Sequence, residues 1–169
     1  LKSLKQLNLN SLQKVKTIGN EFLFMTGLET LDLSGLTNLE SIDNFFLGYN
    51  TSLQSINFSG LTKLKTIGWY FMQNCTNLAS FDLTDLTSVT EVGVNFLSGC
   101  AKLNTIKLPL TTQPAALGGW GASIGSTAEG TTITIDCTTK ACKTAYLNTS
   151  KWNSIIPGGG KTTLWLPEN

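Results

Sequence analysis

Gly121-Ala122-Ser123-Ile124-Gly125 has the spacing of a nucleophile elbow, the sharp turn that presents a serine hydroxyl to an acyl carbon. That chemistry needs a general base to take the hydroxyl proton, and the chain contains no histidine. The run therefore reads as a glycine-rich loop. Gly160-Lys161-Thr162 has the ending of a phosphate-binding loop, but Ile155 stands where its first glycine belongs. Too few residues follow Thr162 to form the helix whose amino end would hold a phosphate. Ser11 to Lys14 fits Ser-x-x-Lys, yet Leu12 inside it falls in an apolar column and is expected in the core. Asp32 and Asp82 are separated by Asn57 and share one kind of surroundings, which does not set an acid apart from a base. No place in the chain joins an acid, a base and an electrostatic stabiliser. Accordingly no catalytic residue, metal or cofactor is expected.

Four cysteines remain. Cys75 and Cys100 lie one period apart and should sit on neighbouring rungs about 5 Å apart, which permits a disulfide and equally suits two buried thiols. Cys137 and Cys142 bracket a Cys-Thr-Thr-Lys-Ala-Cys loop that a disulfide could close. Without histidine, and at these spacings, they do not form a zinc site.

What positions all these residues is a repeat. The columns Leu4, Leu28, Leu53, Leu78, Leu103, then Leu7, Leu31, Ile56, Phe81, Ile106, then Leu9, Leu33, Phe58, Leu83, Leu108 recur every 24 or 25 residues. Four more follow in step: Leu12, Leu36, Leu61, Leu86; Val15, Leu39, Leu64, Val89; Ile18, Ile42, Ile67, Val92; and Phe22, Phe46, Phe71, Phe96. Self-similarity at this period predicts a solenoid, whose units are too small to bury their own apolar faces and do so against each other. The first three columns have the alternation of a short strand; Ile67-Gly68 and its equivalents suggest a second one. After Pro109 the period breaks. Residues 1–108 are expected to form the regular repeats, about five rungs. Residues 109–169 are expected to add irregular rungs, with Ile133, Ile135, Leu164 and Leu166 in strands, helical turns over 143–152, and a cap on the same domain.

The column set resembles the leucine-rich repeats of the BspA-like, or Treponema pallidum, type. The residues that carry the likeness are Leu53, Ile56, Phe58, Leu64, Ile67, Gly68, Phe71, Cys75 and again Leu78, Phe81, Leu83, Val89, Val92, Gly93, Phe96, Cys100. Leu12, Leu36, Leu61 and Leu86 stand where other leucine-rich repeats place Asn or Cys, as in this bacterial subtype. Cys142, Lys143, Thr144, Ala145 and Trp152 are similar to the family's ending. The resemblance implies a β-rich leucine-rich-repeat solenoid and a noncatalytic recognition or adhesion module of a bacterial cell-surface or secreted protein.

Composition narrows the partner. Net charge is +1 and only 14% of residues are charged, without any basic run, so phosphate backbones are not expected to bind. No apolar stretch is long enough to insert in a membrane as a helix, and no leader is recognisable. The chain starts at Leu1 inside a repeat, which suggests a piece of something longer. A protein or glycan macromolecule is the expected partner. Its leading site is the outward strand face: Gln6, Thr30, Ser55, Ser80, Thr105 and Asn8, Asp32, Asn57, Asp82, Lys107. An alternative aromatic patch comprises Phe45, Tyr49, Trp69 and Tyr70, which with Trp120 would suit a carbohydrate-binding accessory protein. A structural spacer presenting another domain is a further alternative. Asn50, Asn57, Asn74 and Asn148 head Asn-x-Ser/Thr triplets, which matter only in a pathway that glycosylates.

Overall fold

A computed structural model describes residues 2–107, 116–117, 132–136, 144 and 161–165. In chain order its strands are β1 Thr17–Ile18, β2 Thr30–Asp32, β3 Ser41–Ile42, β4 Ser55–Asn57, β5 Thr66–Ile67, β6 Ser80–Asp82, β7 Glu91–Val92, β8 Thr105–Lys107, β9 Ala116–Leu117, β10 Thr132–Asp136 and β11 Lys161–Trp165. Every pairing is parallel. One circuit of 24 or 25 residues returns the chain beside its previous strand, the long crossover a parallel neighbour requires. Odd-numbered strands β1-β3-β5-β7-β9 form one ribbon of five. On another side of the coil, β2 pairs β4, while β6, β8, β10 and β11 form a second group.

Between the two strands of a circuit, three-residue steps set the Leu-x-x-Leu spacing. Leu36 N–H donates to Leu33 O at 2.8 Å and Leu39 N–H to Leu36 O at 2.9 Å, and the next rung repeats this with Leu61 to Phe58 and Leu64 to Leu61. Each step turns one more leucine inward. Leu36, Leu39, Leu61 and Leu64 are accordingly buried. The core is the stack of columns, with Leu31, Phe81 and Ile106 in one and Phe46, Phe71 and Phe96 in another. Phe71 is the centre of an aromatic pile, its ring 5.2 Å from Phe46 and 5.5 Å from Phe96, both stacked. Residues 2–107 contain no helix.

The side opposite the strands is a double turn of unusual backbone. Phe45, Leu47 and Tyr49 have φ of 59°, 53° and 60°, and Tyr70, Met72, Asn74 and Glu21, Leu23, Met25 repeat the pattern. Left-handed conformation costs a residue with a side chain about 1 kcal/mol or more. Hydrogen bonds between rungs offset it: Phe45 N–H donates to Trp69 O at 2.9 Å, Leu47 N–H to Phe22 O at 3.0 Å and Tyr49 N–H to Gln73 O at 2.7 Å. Burial adds to this, since Leu47, Met72 and Leu97 are shut away completely.

Leu12 corrects the sequence expectation. It is 45% exposed, whereas Leu36, Leu61 and Leu86 of its column, each with a described rung on either side, are buried. In the carboxyl-terminal part, register sets Ile135 opposite Ile106 and Leu164 opposite Ile135, so β10 and β11 continue the strand side. Lys161 and Thr162 open strand β11. Ser123, Trp120, Cys137, Cys142, Leu166 and the turns expected over 143–152, apart from Thr144, lie outside the described residues.

Candidate functional site

The outward side chains of the strands form the two columns read from the sequence. Thr30 stands opposite Ser55, and Ser80 opposite Thr105; Asp32 stands opposite Asn57, and Asp82 opposite Lys107. Asn8 bridges to Asp32, extending the face to the first rung with Gln6. All ten are exposed except Thr105, which is half-buried. Next to the first rung, Gln6, Leu7, Asn8, Asn10, Thr30 and Asp32 line an open depression of about 470 Å³.

One of the columns also has a structural task. Asn8 Oδ1 accepts from Asn10 N–H at 2.9 Å, Asp32 Oδ1 from Ser34 N–H at 2.9 Å, Asn57 Oδ1 from Ser59 N–H at 3.0 Å and Asp82 Oδ1 from Thr84 N–H at 3.0 Å. A short side-chain acceptor thus ends each strand by taking the amide two residues on. The neighbouring column Gln6, Thr30, Ser55 and Ser80 carries no such hydrogen bond among the described residues and is exposed.

Asp32 also accepts from Asn57 Nδ2 at 3.0 Å, and Asp82 from the Thr84 hydroxyl at 2.7 Å, with Lys107 Nζ at 3.4 Å. The Ser34 amide and side chain hold the Asp32 carboxyl below the ordinary carboxylate range. For Asp82, partial burial pushes upward, but Thr84 and Lys107 together outweigh it and the net direction is down. A carboxylate bound more tightly in the fold than in the unfolded chain stabilises fully above its unfolded pKa, near 3.9, and loses that contribution as pH falls through the lower folded value. The urea midpoint is therefore expected to be level between about pH 7 and pH 5 and to fall below about pH 4. Asp32→Asn with Asp82→Asn should flatten that fall. Both carboxylates are engaged locally, and among the described residues no three His, Cys, Asp or Glu side chains group as metal ligands.

The aromatic patch lies on the turn edge. Phe45 and Tyr70 stack at 4.7 Å, Phe24 meets Phe45 at 6.2 Å and Tyr49 at 5.5 Å edge-on, and Trp69 and Tyr49 are 56% and 42% exposed. Phe24 is a member that the sequence columns do not reveal. It fills the place that Gly48 leaves one rung later, where an added Cβ would come within 2.9 Å of the Phe24 ring.

Cys75 and Cys100 are free and buried, so the disulfide that their spacing permits is not made. Each thiol donates to a turn carbonyl of the preceding rung, Leu47 O and Met72 O, both at 3.3 Å. Burial raises the Cys75 thiol far above its ordinary range and the Cys100 thiol to about 12, which keeps both protonated and inert. Asn50 and Thr26 occupy the same column in earlier rungs and are also buried. A buried Asn50 side chain is closed to glycosylation.

No helix among the described residues is long and apolar enough to cross a membrane. No curated protein and no solved structure significantly matches the chain. Residues 1–115 match the family described as BspA type leucine rich repeat region, in 6 copies. In-register parallel rungs, buried Leu and Phe columns and that match over most of the length agree: the chain belongs to the BspA-type leucine-rich repeat family.

Proposed function

We propose that this chain is a noncatalytic recognition or adhesion module of a bacterial cell-surface or secreted protein, binding a protein or glycan through its exposed strand face. The observation that carries this is the polar face itself: short outward side chains set opposite one another on paired rungs, Thr30 with Ser55 and Ser80 with Thr105. Such a surface offers many weak contacts to a large partner and no enclosed pocket for a small one. Repeat proteins generally use these surfaces for protein interactions, and BspA-type repeats are typical of surface or secreted proteins. The absence of histidine agrees with a noncatalytic role.

The test is an array of matrix proteins and glycans probed with the wild type and with Thr30→Arg plus Ser80→Arg. These changes add bulk to the face without touching the turn-forming column. At least one signal should fall about tenfold or more; signals unchanged across the array would discard the face. The exposed Trp69 and the Phe45–Tyr70 stack favour a second reading, a carbohydrate platform on the turn edge. It predicts that polysaccharide changes tryptophan fluorescence in the wild type and that Trp69→Phe reduces the change.

A further inference from the structure

The strand face has ladders from β2 to β4 and from β6 through β8 and β10 to β11, and a single bridge, Asn8 to Asp32, at the first rung; β4 and β6 share neither. Leu33 N–H donates to Asn57 O at 3.0 Å and Leu83 N–H to Lys107 O at 2.9 Å, while Phe58 N–H, in the same column between them, makes no such bond to Asp82. At the other end of the strands, Gln54 N–H reaches Glu29 O and Asn104 N–H reaches Ala79 O, both at 2.9 Å; Ala79 N–H does not reach Gln54. A cleft of about 150 Å³ occupies the parting, lined by Ile56, Asn57, Phe58, Asp82, Thr84 and Asp85. Ile56 is only half-buried there, although Leu31, Phe81 and Ile106 of its column are buried.

Two rings meet at the parting. Phe58 and Phe81 occupy neighbouring columns at this junction, where other rungs carry Leu33 and Leu83 or Leu31, Ile56 and Ile106. Their centroids are 5.4 Å apart at 79°, an edge-to-face pair, whereas the rings of the neighbouring Phe46, Phe71, Phe96 column stack nearly parallel. The ribbon side stays joined, with Thr66 opposite Glu91 and Gly93 N–H donating to Ile67 O at 2.8 Å. So does the turn side, through Leu97 N–H to Phe71 O at 3.0 Å. Between residues 54–60 and 79–85, the hydrogen bond that crosses is Gly60 N–H to Asp85 Oδ2 at 2.8 Å.

We propose that the β4–β6 junction is a hinge built into the solenoid, at which the strand face opens and closes about the unbroken β5–β7 side. In a stack held by nearest-neighbour contacts, the junction with the fewest hydrogen bonds opens first and divides the coil into two blocks. The wedge of Phe58 and Phe81 sets the open position, and Asp85 tethers it. The hinge gives the polar face a curvature that changes at one line, and it holds whichever surface binds the partner.

Amide hydrogen exchange on the full chain tests it. The Phe58 amide should exchange at least about tenfold faster than those of Leu33 and Leu83, and the Ala79 amide faster than those of Gln54 and Asn104. Equal protection across these sets would overturn the hinge. Combining Phe58→Leu with Phe81→Ile should close the ladder and slow the amide at position 58 to the level of Leu33 and Leu83. A folded double variant in which that amide stays fast would overturn the wedge, and if the variant does not fold the wild-type ordering decides.

Discussion

Phe71→Ala is expected to cost about 3–5 kcal/mol, the usual loss for emptying a buried aromatic site. Phe71 has no exposed surface and touches four other rings, those of Phe46, Phe58, Phe81 and Phe96. Its neighbours in the stack are held by backbone ladders on the ribbon and turn sides, so they cannot collapse into the space left behind. Against a total stability of roughly 5–15 kcal/mol, the loss should lower the melting temperature by on the order of 10 °C. Calorimetry or circular dichroism on wild type and variant measures it. An unchanged melting temperature would mean that the Phe column is not interior. Phe71→Leu, which keeps an apolar side chain of most of the volume, should recover more than half of the loss.

Asn50→Ala should rank second, at about 2–4 kcal/mol. The Asn50 side chain is buried, and its Nδ2 donates to Leu23 O at 2.7 Å and to Leu47 O at 2.9 Å, while its Oδ1 accepts from the Thr26 hydroxyl. Alanine would leave the Leu23 carbonyl and the Thr26 hydroxyl without partners, while Leu47 O keeps the Cys75 thiol and the backbone N–H of residue 50; each buried orphan costs about 1–3 kcal/mol, less whatever water recovers. The column itself supplies the control. Cysteine fills this place in the next two rungs and donates to the same kind of carbonyl, so Asn50→Cys should lose distinctly less than Asn50→Ala. Denaturant midpoints compare the three proteins. Equal losses for Ala and Cys would show that the turn carbonyls do not need this donor.

The apolar columns were plain in the sequence because the core has one shape repeated. A side chain such as Leu31, Leu64 or Phe96 has the same neighbours in every rung, and its burial follows from its column. The face Gln6 to Lys107 was legible for the complementary reason, since every second strand residue must point outward. Three features were not legible, each decided by contacts between rungs. Left-handed backbone at Phe45, Leu47 and Tyr49 is normally announced by glycine, and in this series only Gly99 announces it. In the buried column Thr26, Asn50, Cys75, Cys100, the last three aim a donor at a turn carbonyl and Thr26 donates to Asn50 Oδ1, a partnership that belongs to geometry and not to hydropathy. The parted junction is hidden because Phe58 and Phe81 read as ordinary core residues. Their edge-to-face meeting, unlike the near-parallel stacks of the Phe46, Phe71, Phe96 column, is a matter of geometry that residue type does not reveal.

The face assignment is tested most directly by the affinity of a captured partner for two variants measured side by side. One carries Thr30→Arg and Ser80→Arg on the strand face; the other carries Tyr49→Ala and Trp69→Ala on the turn edge. The account predicts binding weakened about tenfold or more in the first, a change of about 1.4 kcal/mol or more, and wild-type affinity in the second. Full affinity in the strand-face variant, with binding lost in the turn-edge variant, would contradict it.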